Sequence, residues 1–385
     1  MMGSTGALLA WAAALLVAYV YVGYPILIGL LAWARPRPLR QVDIEPSVTL
    51  LISAFNEAHV IGDKLRNAVA LDYPMQKLEI MVISDASTDA TDDIVRSFAG
   101  QGVTLLRMAE RGGKTVGLNA AMQQAKGDIV VFSDANIMYR SDTIRRLVRN
   151  FADPSVGCAT GDSQYADDPD SAAHAQENSY WGYERYIRSM ESIVGSTVGG
   201  DGAIFAIRRH LYQPLSPETI NDLVVPLQIV TKGYRAVFEP TAIGLEPSAG
   251  DFRKEFRRKR RIVNRSWRGV MSVAGILNPS KVGLFAWQVW SHKVLRWLVL
   301  PFVMIGFAGC VAAYDLGLVY RLGVWGGVTS VLLAVIGPFV SSSLGGTAKV
   351  IQTVFYFYLV NLAALLGVTK ALGGRVDRIW APERG

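Results

Sequence analysis

One charge-free run near the N-terminus constrains this 385-residue chain more than any other feature. Residues 7–33 contain no charged side chain, and ~20 apolar residues are enough to cross the hydrocarbon core of a bilayer. Further apolar stretches lie late in the chain, at residues 297–313, 324–340 and 350–368. Because roughly residues 38–280 between them resemble a water-soluble domain, the sequence predicts a membrane protein with about four spans and one large soluble insert.

The charges that flank the apolar stretches predict an orientation. The first stretch is expected to be an uncleaved anchor, since no Lys or Arg precedes it and it is longer than the apolar core of a signal peptide. Arg35, Arg37 and Arg40 follow it, which places the insert in the cytoplasm by the positive-inside rule, and Lys293 and Arg296 agree. The basic tail also favours the inside, which three late spans do not allow, so one late segment could be a hairpin or an interfacial helix. The tail residues are Lys370, Arg375, Arg378 and Arg384.

The reactive side chains exclude two classes of chemistry. Cys158 and Cys310 are far apart in the sequence, so they provide neither a disulfide framework nor the spacing of a metal site. The 4 histidines are scattered as well, which argues against zinc catalysis and against a nucleophilic triad built on histidine.

The soluble insert alternates strands with helices. Such alternation predicts a doubly wound, mainly parallel sheet, in which ligands bind beyond the carboxyl ends of the strands. The strands are expected at residues 47–55, 78–84, 103–107 and 128–133, and the helices that follow the second and third strands at 91–99 and 114–126.

Polar residues stand at three of the predicted strand ends. Asn56, Asp85 and Asp134 would therefore meet at one edge of the sheet. Taken singly, Asp85 or Asp134 could be a turn or helix-capping residue. Lys114 follows Gly112-Gly113 at the start of a helix; it is either a solvated lysine or, with the glycine amides, part of an anion site. The joint pattern favours a phosphate-binding site.

These motifs, taken as an ordered set, resemble the GT-A nucleotide-diphospho-sugar glycosyltransferases of family 2. The membrane branch with cellulose, chitin and hyaluronan synthases is the most similar, and the resemblance covers roughly residues 45–300. It implies a Rossmann-like GT-A fold and transfer of a sugar from a nucleotide-sugar. The motifs are "ISAFNE", "ISDASTDAT", "RGGKTVGLNAAMQQAKGD", "FSDAN", "GGDGAIFAIRR", "NDL", "RRKRRI" and "SHKVLRW".

The resemblance implies a donor site at the strand ends. Asn56, Glu57 and Asp85 would surround the nucleobase and ribose, and Lys114 would face the nucleotide. No nucleic acid is expected as a partner, because the insert is bracketed by membrane spans.

The resemblance also implies a metal. Asp134 and Asn136 match the Asp-x-Asp motif of the family, which holds the diphosphate through Mg2+ or Mn2+. A hard cation prefers oxygen ligands and stabilises the negative charge of a leaving diphosphate. Asn136 is an amide and brings no charge, so the metal is expected to bind mainly through Asp134 and the diphosphate, and more weakly without nucleotide.

An acceptor site is implied further along the chain. The helical pattern of residues 178–192 carries Trp181, Tyr183 and Glu184, which either belong to a core helix near the membrane or offer aromatic faces to a sugar ring. In "GGDGAIFAIRR", the glycines permit close approach of the backbone. By the resemblance, this loop lines the acceptor pocket through Gly200, Asp201 and Gly202.

Asp222 matches the acid that deprotonates the acceptor hydroxyl in the family. A carboxylate within hydrogen-bond reach suffices for a single displacement, which inverts the anomeric carbon. The alternative is that Asn221 or Asp222 is only an N-cap of the following helix.

A basic run with 9 Lys or Arg residues between Arg253 and Arg268 accounts for much of the net charge of +7. It predicts an amphipathic helix on anionic lipid. By the resemblance it also replaces the Gln-x-x-Arg-Trp signature of polymerising enzymes, so that its arginines would neutralise the leaving diphosphate. Ile262 stands where that signature has tryptophan, and Trp267 follows as a candidate acceptor residue, which leaves processivity open. The candidate arginines are Arg258, Arg260 and Arg261.

The expected protein is an inverting glycosyltransferase in the bacterial inner membrane. It would transfer a sugar, from a UDP-sugar in the first instance, to a growing polysaccharide or a lipid-linked glycan, with export or regulatory subunits as further partners. The alternatives are a non-catalytic nucleotide-binding scaffold or export subunit, and a single-addition transferase. The expected regions are the anchor (1–36), the GT-A domain (37–250), basic interfacial helices (251–296), and the late spans with the tail (297–385).

Overall fold

The strands of the insert join in one sheet. The structure is a computed structural model that describes residues 2–165, 172–246, 252–273, 275–340 and 345–376; Arg378 and Arg384 of the predicted tail lie outside these ranges. The strands are β1 (Val48–Ala54), β2 (Leu78–Ser84), β3 (Val103–Arg107), β4 (Ile129–Asp134), β5 (Met138–Tyr139), β6 (Val156–Tyr165), β7 (Ile204–Arg208) and β8 (Arg235–Glu246).

The sheet has the order β3-β2-β1-β4-β7-β6-β8-β5. Strands β1 to β4 are parallel to their neighbours within that group, and β6 is parallel to β8. Strand β7 runs antiparallel to β4 and β6, and β5 antiparallel to β8. The predicted α/β architecture with a mainly parallel sheet is therefore confirmed, with an antiparallel insertion between its two parallel parts.

Helices precede, connect and follow the strands. They are α1 (Met2–Ala18), α2 (Tyr24–Ala34), α3 (Ile61–Val69), α4 (Thr91–Ser97), α5 (Lys114–Gln124), α6 (Thr143–Val148), α7 (Ala172–Val194), α8 (Asn221–Thr231), α9 (Phe252–Ser272), α10 (Pro279–Val282), α11 (Leu284–Val289), α12 (Leu295–Trp297), α13 (Val299–Ala312), α14 (Leu318–Ile336) and α15 (Gly345–Leu372). A π-helical turn, Tyr19–Gly23, joins α1 to α2.

Two clusters of buried hydrophobic side chains lie on opposite faces of the sheet. One face is buried under α3, α4 and α6, through residues such as Leu65, Val95 and Leu147. The other face is buried under α5, α8 and α9, through residues such as Leu118 and Leu223. The basic helix α9 thus contributes Val263 and Val270 to the core of the domain.

Within the described residues, three helices are long and apolar enough to cross a membrane: Gly3–Ala34, Leu318–Phe339 and Gly346–Leu372. The span expected at residues 297–313 does not form a long apolar helix by itself. Its helix, Val299–Ala312, is bent by 64° from the apolar helix Leu284–Trp297, and only the two together could count as a fourth span. A 14-residue helix is about 21 Å long, which is shorter than the hydrocarbon core.

The first long helix contacts two different partners. Its first half packs along α13, where a Cβ at Gly309 would lie only 2.7 Å from the nitrogen of Ala10. Its second half packs on α7 of the soluble domain, with Tyr24 and Ile28 buried against Ile187. The anchor is therefore continuous with the folded insert.

Candidate active site

The ends of β1 and β2 are tied together by Asn56. Its backbone is left-handed, with φ of 51°, a conformation that Asn tolerates better than most residues. Its side-chain oxygen accepts the N–H of Thr88 at 2.8 Å. The neighbouring Glu57 is buried and donates its own N–H to Thr91 Oγ1 at 2.8 Å. Both residues thus shape the corner at which the sequence predicted the donor.

Asp85 closes the same corner from the side of β2. Its carboxylate accepts the N–H groups of Gly112 at 2.8 Å and of Gly113 at 2.9 Å. The glycine amides that were expected to offer themselves to an external anion are therefore occupied by this internal carboxylate. The N-cap position of α4 belongs to Ala90, and the preceding Asp89 accepts the N–H of Thr91 at 3.0 Å.

Lys114 bridges the predicted donor and acceptor sides. Its Nζ lies 2.5 Å from Asp134 Oδ1 and donates to the carbonyl of Gly202 at 3.0 Å. The alternative of a solvated lysine at a helix start is thus not observed. Since Asp134 ends β4 and Gly202 precedes β7, this one ammonium group connects two neighbouring strand ends.

The residues predicted to bind a metal provide oxygen ligands, but they do not form a complete coordination shell. Asp134 and Asn136 are both half-buried, with one residue between them. Among the described residues, no group of three or more His, Cys, Asp or Glu side chains is arranged to hold a metal ion. A carboxylate and an amide oxygen suit a hard cation that takes its other ligands from a diphosphate and water. The donor set therefore fits Mg2+ or Mn2+ bound together with a nucleotide.

Asp222 stands in the first turn of α8 without capping it. The N-cap position belongs to Ile220, which makes no side-chain capping bond. Asp222 Oδ1 is buried and finds no hydrogen-bond partner within the described residues. Burial raises the pKa of this carboxyl, while Lys114 opposes the shift. A Cβ at Gly202 would lie 3.0 Å from Asp222 Oδ2, so the loop packs closely on this carboxylate.

The loop before β7 brings a second buried acid close by. The N–H of Asp201 donates to Thr160 Oγ1 at 2.8 Å, and burial raises the pKa of the Asp201 carboxyl. Arg188 Nη1 lies 4.0 Å from Asp201 Oδ2, and its guanidinium carbon lies 5.7 Å from the ring centre of Trp181. The N–H of Gly200 donates to the carbonyl of Asp222 at 2.6 Å. This arrangement connects Trp181 to the site through Arg188.

The other predicted acceptor residues lie elsewhere. Tyr183 donates its hydroxyl to the carbonyl of Tyr21 in the anchor at 3.1 Å. Glu184 is buried in an ion-pair cluster with His292 and Arg296. Trp267 packs against Trp297, with ring centres 6.0 Å apart. For the first two, the structure thus matches the alternative of a core helix near the membrane.

The basic helix brings one further arginine, Arg265, to the site beside those expected. Arg258 pairs with Glu255 at 2.8 Å, and the Nε of Arg260 is buried without a hydrogen-bond partner in the described residues. Arg261 follows Arg260 and is half-buried. By contrast, Arg265 donates to Thr115 Oγ1 at 2.9 Å, at the first turn of the helix that carries Lys114.

Two charged residues of this region, Lys64 and Glu246, were not among the site residues predicted from the sequence. Lys64 is fully buried and donates to the carbonyl of Ile137 at 2.7 Å, and its pKa is lowered by burial to about 7, against the opposing charge of Asp134. Burial and the charges of Asp201 and Asp134 raise the pKa of Glu246 to about 8. The sequence held one signal: Lys64 lies on the apolar face of its helix, beside Ile61, Leu65 and Ala68.

Comparison with known proteins shows what the domain around this site is similar to. Residues 49–215 match the family model described as glycosyl transferase family 2. A poly-beta-1,6-N-acetyl-D-glucosamine synthase of Staphylococcus aureus is 28% identical over 214 residues, which are 54% of this chain and 51% of the relative. A beta-monoglucosyldiacylglycerol synthase of Synechocystis sp. is 37% identical over 117 residues, 29% of this chain and 24% of the relative. The chain thus spans about half the length, or less, of these relatives.

One solved structure is similar along nearly the whole chain. It is a mannosyltransferase from Pyrobaculum calidifontis in complex with GDP-Man and Mn2+. It shares 26% sequence identity and a TM-score of 0.69, and the match covers 94% of this chain and 99% of the other. The predicted GT-A fold is confirmed by this similarity.

Proposed function

Because residues 49–215 match the glycosyl transferase family 2 model, we propose that this chain transfers a sugar from a nucleotide-sugar to a glycan or lipid-linked acceptor at a membrane. The observation that carries the proposal is the pair of adjacent features at the strand ends. Lys114 and Asp134 form a charged corner suited to a diphosphate, and Asp222 presents a carboxylate oxygen with no hydrogen-bond partner among the described residues.

The donor binds at the corner of β1, β2 and β4 in this proposal. Asn56, Glu57 and Asp85 shape the pocket for the nucleoside, and Lys114 turns from Asp134 towards the phosphates. Arg258 and Arg265 of the basic helix have charged neighbours in the site, since they interact electrostatically with Glu246 and Asp222 respectively. They favour departure of the negatively charged nucleoside diphosphate.

Asp134 and Asn136 would hold a divalent cation together with the diphosphate. When bound, Mg2+ or Mn2+ supplies Lewis-acid stabilisation of the charge on the leaving group. The similar mannosyltransferase was solved with Mn2+, which supports a divalent cation at this corner.

Asp222 acts as the general base. It takes the proton of the acceptor hydroxyl while the new oxygen–carbon bond forms at the anomeric carbon. The bond from that carbon to the diphosphate oxygen breaks, and the nucleoside diphosphate leaves with the electron pair. A single displacement inverts the anomeric carbon, and the raised pKa of Asp222 makes it a stronger base than an ordinary aspartate.

The donor has two candidate classes. A UDP-sugar is the class expected from the sequence, and the name of the staphylococcal relative, a synthase of an N-acetylglucosamine polymer, agrees with it. A GDP-sugar is the second candidate, because the solved structure similar along nearly the whole chain contains GDP-Man.

The acceptor is proposed to be reached from the membrane. Three apolar helices and the bent pair support a multi-pass protein, and Arg35, Arg37 and Arg40 support a cytoplasmic domain. The size of the product distinguishes the addition of one sugar from the addition of many.

The test uses the full chain in membranes, with labelled UDP-GlcNAc, UDP-Glc, UDP-GlcA and GDP-Man offered separately. The wild type should incorporate label from one of them, and sizing the product separates a polymer from a single-sugar lipid. D222N should lower the transfer rate by about 100-fold or more, since general bases contribute about that much. Its affinity for UDP or GDP, measured by calorimetry, should stay within about twofold, because the donor corner is intact.

Two outcomes would overturn the proposal. Normal transfer by D222N would remove Asp222 from the role of base. Nucleotide binding without transfer from any of the four donors would favour the non-catalytic scaffold.

A further inference from the structure

A buried histidine lies between two carboxylates where the anchor meets the soluble domain. His292 Nδ1 is 2.8 Å from Glu191 Oε1, and its Nε2 is 3.0 Å from Glu184 Oε2. All three side chains are nearly or fully inaccessible to solvent. An ionised carboxylate can only accept hydrogen bonds, so each carboxylate presents an acceptor oxygen to one ring nitrogen of His292.

We propose that His292 is a positioning residue for sugar transfer, which acts through Glu191 on the loop of residues 197–202. We call this segment the acceptor loop. The inference rests on the proposed function only because the rate of sugar transfer is one of the quantities that test it.

Glu191 links the membrane-proximal elements to the acceptor loop. Its Oε1 faces His292 and the hydroxyl of Tyr24, which belongs to the anchor helix. Its Oε2 accepts the N–H of Val198 at 2.9 Å and the hydroxyl of Thr197 at 3.3 Å. One carboxylate therefore holds the start of the acceptor loop with one oxygen and the anchor with the other.

The acceptor loop in turn contacts the proposed base. The N–H of Gly200 donates to the carbonyl of Asp222, and the carbonyl of Gly202 accepts from Lys114. A small shift of the loop would therefore move the groups around Asp222 and Lys114 together. Displacements on the order of 1 Å can cost about 100-fold in rate when they disturb reacting geometry.

The surrounding charges keep Glu191 in place. Arg296 pairs with Glu184, and the half-buried Lys293, next to His292 in the chain, interacts electrostatically with both Glu184 and Glu191. Without the His292 ring, Glu191 would lose the partner at 2.8 Å and keep its hydrogen bonds from Tyr24, Thr197 and Val198. The donor corner at Asn56 and Asp85 makes none of these contacts, so donor binding should be independent of His292.

The first experiment compares H292Q with H210Q, a matched control because His210 is exposed. In H292Q, amide hydrogen exchange in a peptide covering residues 195–202 should be about tenfold faster, because loss of a charge-assisted bond lowers the local opening free energy. Exchange around residues 80–90 should not change. The kcat of transfer should fall by about tenfold with UDP or GDP affinity unchanged within about twofold. H210Q should match the wild type in every readout.

A second set of variants tests the route and guards against misfolding of H292Q. T197V removes only one bond from Glu191 to the loop, and it should shift exchange in the same segment and lower kcat by about threefold. The double variant H292Q/E191Q should be no slower than E191Q alone, because both act through one carboxylate.

Each remaining outcome speaks against the inference. Unchanged loop exchange in H292Q and T197V would overturn it, and so would additive losses in the double variant. A parallel loss of nucleotide affinity would show that His292 is a general structural residue. Since hydrogen exchange needs no turnover, a wild type that transfers no sugar would refute the proposed function and still allow this test.

Discussion

Lys114 Nζ and Asp134 Oδ1 are 2.5 Å apart, so the carboxylate expected at the metal is paired with a lysine. A cation and an ammonium group cannot both hold this oxygen closely. The ion pair therefore explains, in physical terms, why metal binding should depend on the nucleotide: phosphates attract Lys114 away and supply further oxygen ligands.

Replacing Lys114 should separate these two effects. In K114M, affinity for Mn2+ without nucleotide should rise by about threefold to tenfold, since Asp134 loses a competing charge. Affinity for UDP or GDP should fall by about tenfold, since a positive partner of the diphosphate is lost. Calorimetric titration measures both constants, and K126M at an exposed lysine is the control. Unchanged Mn2+ affinity would mean that the pair does not compete with the metal.

The pH dependence of transfer should report Asp222. A base must be ionised, and burial raises the pKa of this carboxyl above its ordinary value of 3.8. The rate should therefore fall as the pH drops through this raised pKa, at a higher pH than for an exposed aspartate. In D222N this acid limb should disappear from the residual activity, while D43N, at an exposed aspartate, should keep it. An identical limb in D222N would assign it to another group.

Lys64 should make stability depend on pH. Its pKa is about 7 in the folded chain, lowered by burial, against 10.5 as the ordinary value. Between these values the unfolded chain binds one more proton, so the free energy of unfolding should rise with pH, by at most about 1.4 kcal/mol per pH unit. K64M should lack this rise and should lose about 1–3 kcal/mol by leaving the carbonyl of Ile137 unpaired.

Denaturation of both proteins between pH 7 and pH 10 checks this prediction. K126M should follow the wild type, because Lys126 is exposed. Parallel curves for the wild type and K64M would show that Lys64 is not the titrating group.

A methyl group at Gly202 should impair catalysis without weakening donor binding. Its Cβ would meet Asp222 Oδ2 at 3.0 Å, so the carboxylate must move or the loop must shift. We expect G202A to lower kcat by about tenfold or more, with the affinity for UDP or GDP within about twofold.

The matched control is G182A, where an added Cβ meets no atom within 4 Å. Gly182 lies inside helix α7, so alanine should stabilise the chain by up to about 1 kcal/mol and leave the rate unchanged. Equal rates for G202A and the wild type would contradict close packing of Asp222 on the loop.

The parallel half of the sheet was predictable from local pattern. The strand expected at residues 78–84 is β2, and the one at 103–107 is β3. These segments are short apolar runs stopped by Gly, Asp or Ser, a pattern that depends on neighbours along the chain. The antiparallel strands were not predicted individually. Strand β5 has only two residues, and β7 lies beside β4 through a pairing across more than 60 residues of chain.

The site was predicted in part. The family motifs located Asp85, Lys114, Asp134 and Asp222, because each of these residues follows a predicted strand or begins a predicted helix. The partners of these residues were not visible. The N–H groups of Gly112 and Gly113 donate to the Asp85 carboxylate, and Glu184 lies within hydrogen-bond distance of His292. Neither contact follows from the spacing of these residues in the sequence.

The sequence by itself determined the apolar anchor, the alternation of strands and helices, and the family motifs with their order. These features depend on hydrophobic period and on residue type, which are properties of short segments. Only the tertiary structure decided which charges meet: Lys114 with Asp134, Lys64 beneath the same corner, and His292 between Glu184 and Glu191. The physical reason is that pairing and burial of charge depend on distances between segments that are far apart in the chain, and those distances exist only after folding.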